Sequence, residues 1–145
     1  MGLFDKIKGA PEAKMTKEEA FAGVALAAIA ADGVITQEEA NQMIVSMFRM
    51  KLYEGMNDRK FNEILTNDVN VLKKEGLDAL LAKAKEALPS DLRETAFAVA
   101  TDLALADGKI ANQEKEILEK IAKAMEIPEE KAVNIIEVML IKNKG

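Results

Sequence analysis

The sequence repeats itself. When it is shifted by 75 residues, residues 19–39 align with residues 94–114 and share eight identities in twenty-one positions. Both copies contain the pattern A-D-G-x-I-x-x-x-E, at residues 31–39 and 106–114, between two segments that favour helices. A hairpin of two amphipathic helices cannot bury its apolar face alone. The repeat therefore predicts two related helical units, packed as a bundle about a pseudo-twofold axis.

Apolar residues recur at i, i+3 and i+4 spacing along the chain, and no segment alternates with a period of two. This pattern predicts an all-α fold of about seven helices in a single domain over residues 15–145, with the duplicated segments at about 16–52 and 90–127. A short amphipathic helix is expected over residues 1–10. Capping and turn residues place the helix starts near Thr16, Thr36, Asp58, Leu77, Ser90, Asn112 and Pro128.

Composition removes several classes of function. The 145 residues include no Cys and no His, so thiolate metal sites and the usual Cys and His nucleophiles and bases are absent. Lys and Arg total 20 against 25 Asp and Glu, and this acidic balance disfavours nucleic acid as a partner. No phosphate-binding Gly loop or nucleophile with an adjacent base is present. We therefore expect a protein that is not an enzyme.

Membrane insertion and export are also not expected. The longest apolar run, residues 21–31, is shorter than the ~20 residues that a spanning helix needs. The start of the chain lacks the regions of a secretory signal. Leu3, Phe4 and Ile7 share one helical face beside two lysines, a composition that favours docking on the helical core over lipid anchoring. We expect a cytoplasmic protein with at most a peripheral contact at the inner face of the membrane.

The repeated turn carries the chemistry that stands out. Both copies of the turn match the second half of a calcium-binding EF-hand loop. The matching residues are Asp32, Gly33 and Glu39 in the first copy, and Asp107 and Glu114 with the intervening Gly and Ile in the second. The first half is missing, because its ligand positions fall on alanines and leucines. Oxygen ligands favour calcium, magnesium or manganese over zinc. With so few ligands, we expect an affinity no better than about 10⁻⁴–10⁻³ M unless both turns or a partner contribute ligands.

The same residues also suit a purely structural role. Gly33 and Gly108 can end helices, and Glu39 can complete a capping box with Thr36. In the second turn Ala111 replaces the threonine, so Glu114 is expected to have no capping box to complete. That difference argues for a carboxylate site, and the two interpretations carry similar weight on sequence alone.

The opening octapeptide Gly2-Leu3-Phe4-Asp5-Lys6-Ile7-Lys8-Gly9 and the twin A-D-G turns resemble the tellurite-resistance TerB family. The resemblance implies a helical fold of two related three-helix units and a role in tellurite and stress resistance. It also implies an acidic metal-binding site and a membrane-embedded partner of the TerC type. Carried over by motif, the metal candidates are Asp32, Glu39, Asp107 and Glu114. The Met-rich helix after the first turn departs from this pattern, because it adds no acidic ligand beyond Glu38.

Two hypotheses for function follow. In the first, the chain is a metal-responsive interaction module in which the acidic turns take up a divalent cation. In the second, it is a metal-independent adaptor whose apolar groove binds a partner segment, and the turns are only helix caps. A third feature, the spacing of Met43, Met47 and Met50, is interpreted as core packing and not as a soft-metal site.

Overall fold

A computed structural model describes residues 15–30, 35–106 and 110–144 of the chain. The predicted short helix at residues 1–10 lies outside these residues. The described part contains seven α-helices and no strand, which confirms the all-α prediction. They are α1 (Lys17–Ile29), α2 (Gln37–Phe48), α3 (Asp58–Glu75), α4 (Leu77–Ala87), α5 (Ser90–Ala104), α6 (Asn112–Ala124) and α7 (Glu129–Lys142), with a 3-10 helix at Lys51–Tyr53.

Helix α1 lies at the centre of the fold. Every residue from Ala20 to Ile29 is buried, so the helix is covered on all sides. It packs most extensively against α5, α4 and α3, and also contacts α2 and α6. Five alanines and Gly23 within this stretch keep the surface of the helix close to its axis. Neighbouring helices can therefore approach closely on several sides, as expected for a helix that is apolar all round.

The helix ends follow local chemistry. Thr16 and Thr36 form the two predicted capping boxes, with Glu19 and Glu39 respectively. Gly76, with φ of 93°, separates α3 from α4 as the sequence suggested. Three predicted caps differ by one residue. Ser90 and Asn112, expected as caps, are the first helical residues after Pro89 and Ala111, and Pro128, expected in the first turn, is the residue before α7. These boundaries differ because residues at a helix start satisfy similar constraints on either side of the cap.

The segment between α2 and α3 contributes a side chain to the core. Tyr53 is fully buried at the end of the 3-10 helix, and its hydroxyl donates a hydrogen bond of 2.8 Å to the Glu18 carbonyl oxygen. Its ring stands edge-on to Phe21 and Phe61, at centroid distances of 6.3 and 5.5 Å. Tyr53 therefore links α1 to α3 as a core residue, and the turn begins only after it.

Met43 and Met47 are buried and Met50 packs against the core, as the interpretation of this stripe as core packing expects. The two hairpins, α1–α2 and α5–α6, meet through α1 and α5. A pseudo-twofold relation between them, and the duplication as the origin of the fold, stay predictions.

Removal of the aromatic side chain of α1 should destabilise the protein strongly. Phe21→Ala leaves a cavity where no solvent reaches and should lower the free energy of unfolding by about 3–5 kcal/mol. Phe48→Ala is the matched control, because that ring is 37% exposed although it packs on Phe61. Urea unfolding followed by circular dichroism compares the two. Equal losses would contradict the central role of α1.

Candidate functional site

The two hairpin turns are only partly described. Helix α1 ends at Ile29, and the structure describes Ala30 and then Ile35 onward. Helix α5 ends at Ala104, and the structure describes residues up to Ala106 and then Ile110 onward. The predicted metal candidates Asp32 and Asp107, and the capping glycines Gly33 and Gly108, therefore lie outside the described residues. Glu39 and Glu114 are the two candidates whose positions are described.

Glu39 lies in the first turn of α2, where its carboxylate works as a cap. The Thr36 amide and the Thr36 hydroxyl both donate to Glu39 Oε1 at 3.0 Å. The Thr36 hydroxyl oxygen in turn accepts from the Glu39 amide at 3.1 Å. These bonds hold one carboxylate oxygen, and no described group hydrogen-bonds to Oε2. The predicted capping box is confirmed, and it leaves one oxygen of Glu39 available.

Glu114 occupies the equivalent position in α6, and one expectation about it is wrong. The Ala111 amide donates to Glu114 Oε1 at 2.8 Å, so Glu114 caps its helix although Ala111 has no hydroxyl. Only the return bond, from the Glu114 amide to a side-chain oxygen, is lost. The sequence argument failed because it treated the box as one unit, whereas its two hydrogen bonds form independently. Again no described donor reaches Oε2.

The fold brings these two glutamates to one cavity. Their side chains line a space of about 100 Å³ between the ends of α1 and α5 and the starts of α2 and α6. The remaining lining residues are Ala28, Ile29, Leu103, Ala104, Ala111 and Gln113. The wall of the cavity is thus more polar than apolar, and it includes two carboxylates from segments 75 positions apart. This convergence could not be deduced from the spacing within either turn.

The charged side chains that line the cavity, Glu39 and Glu114, are both acidic. Both glutamates are partly buried at a helix N-terminus, where the helix dipole favours a carboxylate. No lysine or arginine of the described chain pairs with either of them, although eight other ion pairs are present among the described residues. The described residues contain no group of three or more His, Cys, Asp or Glu placed to hold a metal ion. Glu39 and Glu114 therefore make an incomplete ligand set by themselves.

Other candidate features have structural partners. Asp102, which interrupts an apolar segment, accepts hydrogen bonds from Lys142 at 3.2 Å and Asn143 at 2.8 Å, and these bonds connect the end of α7 to α5.

An apolar groove of about 440 Å³ lies between α5, α6 and α7. Its wall includes Ile110, Leu118, Ile127, Val133 and Ile136. Within the described ranges, no helix is long and apolar enough to cross a membrane.

These features define a class of protein: an all-helical domain in which two helix starts direct carboxylates toward one small cavity. A family model described as Tellurite resistance protein TerB matches residues 18–136, which is most of the chain. The chain belongs to the TerB family, as the resemblance of its turns indicated. The opening octapeptide lies before the matched range. No curated protein and no solved structure gives a significant match.

The capping role of Glu114 is directly testable. Glu114→Ala removes the acceptor for the Ala111 amide and should lower the free energy of unfolding by about 0.5–1 kcal/mol. Glu114→Gln keeps a side-chain oxygen and should cost less. Urea unfolding in the presence of a chelator isolates this effect from any metal. If Glu114→Ala is as stable as the wild-type chain, the hydrogen bond contributes nothing and Glu114 is not a structural cap.

Proposed function

We propose that this TerB-family chain is a non-enzymatic stress and tellurite-resistance protein that binds one divalent cation between its two repeated turns. One observation carries the proposal. Glu39 and Glu114, from two copies of the same sequence motif, line one cavity, and each has one carboxylate oxygen held by its own helix start. The second oxygen of each accepts no hydrogen bond from a described residue, and we propose that it binds the ion. Asp32 and Asp107, from the same motif copies, are the proposed additional ligands.

The size and chemistry of the cavity suit a partly hydrated cation. A water molecule occupies about 30 Å³ in the liquid, so about 100 Å³ accommodates an ion that keeps two or so waters. Calcium, magnesium and manganese all accept mixed shells of carboxylate oxygens and water. Two carboxylates that form no ion pair with a described lysine or arginine repel each other, and a cation relieves that repulsion. Zinc is less favoured, because the chain offers it neither His nor Cys.

Binding of the ion supplies the proposed signal. The cavity joins α1 and α5, the central helices of the two hairpins, to the starts of α2 and α6. A cation shared by Glu39 and Glu114 therefore cross-links the hairpins and stabilises their relative position. We propose that this state is recognised by a membrane-associated protein partner, of the TerC type implied by the family, at the cytoplasmic face of the membrane.

A shared site makes a specific prediction about single substitutions. Calorimetric titration with calcium or manganese should give one ion per wild-type chain. Glu39→Gln and Glu114→Gln should each weaken that binding by at least ~10-fold, or about 1.4 kcal/mol, because each removes a charge from the same ion. Gln can keep the capping bond, so the effect on metal-free stability should be small. Glu137→Gln, an exposed carboxylate on α7, is the control for net charge.

Two outcomes would contradict the shared site. If the wild-type chain binds two ions and each single variant keeps one of them with unchanged affinity, the two turns bind separately. If neither variant alters the titration, the glutamates are only caps. A thermodynamic check uses stability: metal at ten times the dissociation constant should raise the free energy of unfolding of the wild-type chain by about 1.4 kcal/mol.

The apolar groove between α5, α6 and α7 favours a second candidate, a metal-independent adaptor. Val133 on its rim is 45% exposed, and the groove has both acidic and basic residues at its edges. An amphipathic helix of a partner could lay its apolar face there. In this case the acidic turns would only cap helices and would not affect the partner.

Partner capture separates the two candidates. A membrane extract is passed over the immobilised chain with calcium or with a chelator, using the wild-type chain, Glu114→Gln and Val133→Asp. The metal-responsive module predicts that chelation and Glu114→Gln reduce recovery of the same membrane protein. The adaptor predicts loss with Val133→Asp alone. If chelation, Glu114→Gln and Val133→Asp all leave the recovery of the membrane protein unchanged, both candidate functions are contradicted.

A further inference from the structure

Asp68 on α3 is the polar side chain that the structure leaves least explained. It is fully buried, and neither carboxylate oxygen has a hydrogen-bond partner among the described residues. Buried carboxylates are normally paired or hydrogen-bonded, because desolvation without compensation is costly. Asp68 is far in sequence from the acidic turns, so neither capping nor the proposed metal site accounts for it.

The surroundings of Asp68 are closed and apolar. Gly23 of α1 faces it so closely that an added Cβ would lie 3.3 Å from Asp68 Oδ1 and 3.2 Å from Leu80 Cδ1 of α4. Tyr53 of the 3-10 helix is also close enough to interact electrostatically. Three elements therefore cover the carboxyl group. A glycine at position 23 is what allows α1 to approach it.

The charged groups near Asp68 are all of one sign. Glu19 of α1 acts on it directly, and Glu18 acts together with it on Tyr53. The Glu19 carboxylate is held in place, since Thr16 donates to Oε1 at 3.0 Å and the Asn67 amide to Oε2 at 3.1 Å. On α4, the apolar Leu80 lies against the same position of Gly23 as Asp68 does. No described lysine or arginine forms an ion pair with Asp68 to offset these charges.

We propose that Asp68 is a proton-controlled latch: while it is neutral, α3 stays closed against α1, and loss of its proton opens this contact. A neutral carboxyl group fits the closed, apolar site, whereas a carboxylate needs water or a cation that the closed site does not admit. Opening of α3 would expose the apolar side chains with which it covers α1, including Phe61 and Ile64. The latch would thus convert alkaline conditions into an exposed binding face.

The titration behaviour supports this proposal and fixes its direction. Burial, followed by the charge of Glu19, raises the pKa of Asp68 from 3.8 to about 8. The folded state therefore holds a proton that the unfolded state has already lost between about pH 4 and pH 8. Stability must fall as pH rises through this window and level off above it. The same burial and the nearby Asp68 also raise the pKa of Tyr53 above its usual value.

The test compares the wild-type chain with Asp68→Asn, which keeps the size of the side chain and cannot ionise. Between pH 5 and pH 8, the folding equilibrium constant of the wild-type chain should fall by up to about tenfold per pH unit relative to the variant, since one pKa unit corresponds to 1.36 kcal/mol. Asp78→Asn, at an 85% exposed carboxylate, should follow the wild-type chain. Parallel pH profiles for Asp68→Asn and the wild-type chain would overturn the proposal.

Local opening has its own measurement. Amide hydrogen exchange, corrected for the intrinsic effect of pH, should show protection lost in α3 at pH 9 before the other helices, and Asp68→Asn should abolish this loss. Loss that is uniform over all helices would overturn the latch. A carbon-13 titration of the Asp68 carboxyl group in the wild-type chain keeps the proposal falsifiable if the variant does not fold. A midpoint near pH 4 would overturn it, and one near pH 8 supports it.

Discussion

Close packing around α1 is the constraint on which the rest of the structure depends. A helix that is buried on every side can have no charged face, and its neighbours must share its surface. The alanines and Gly23 of α1 make this feasible, because small side chains let α3, α4 and α5 approach together. Tyr53 completes the packing. Its hydroxyl donates a hydrogen bond to the Glu18 carbonyl oxygen, so the buried phenol is paired.

The candidate metal site is a consequence of the same arrangement. The ends of α1 and α5 form one side of the small cavity, and the chain must turn beyond each end to begin α2 and α6. Each new helix then presents a glutamate at its third position. The capping bonds of Glu39 and Glu114 use one oxygen and fix the carboxylate in place. Capping and ion binding are therefore compatible roles for one side chain, which removes the conflict between the two interpretations of the turns.

Asp68 represents the opposite case, in which close packing carries a cost. The approach of α1 at Gly23 closes the site around a carboxyl group that has no partner. An apolar residue there would satisfy packing without that cost, as replacements of buried charged groups elsewhere indicate. A buried carboxyl group at the junction of three elements suits a regulatory role, because gain or loss of its proton changes the free energy of the contact among all three.

The sequence by itself determined the helical class, most helix boundaries, the capping boxes at Thr16 and Thr36 and the family, because these depend on local periodicity and on motifs. It also identified Glu39 and Glu114 as candidates. Only the tertiary structure decided that these two glutamates share a cavity, that Tyr53 belongs to the core and that Asp68 is buried without a partner. Each of these depends on which helices pack together, and residues distant in the chain meet there without leaving a local pattern. Residue spacing predicts the faces of one helix at a time, whereas the burial of a side chain depends on several helices that pack together.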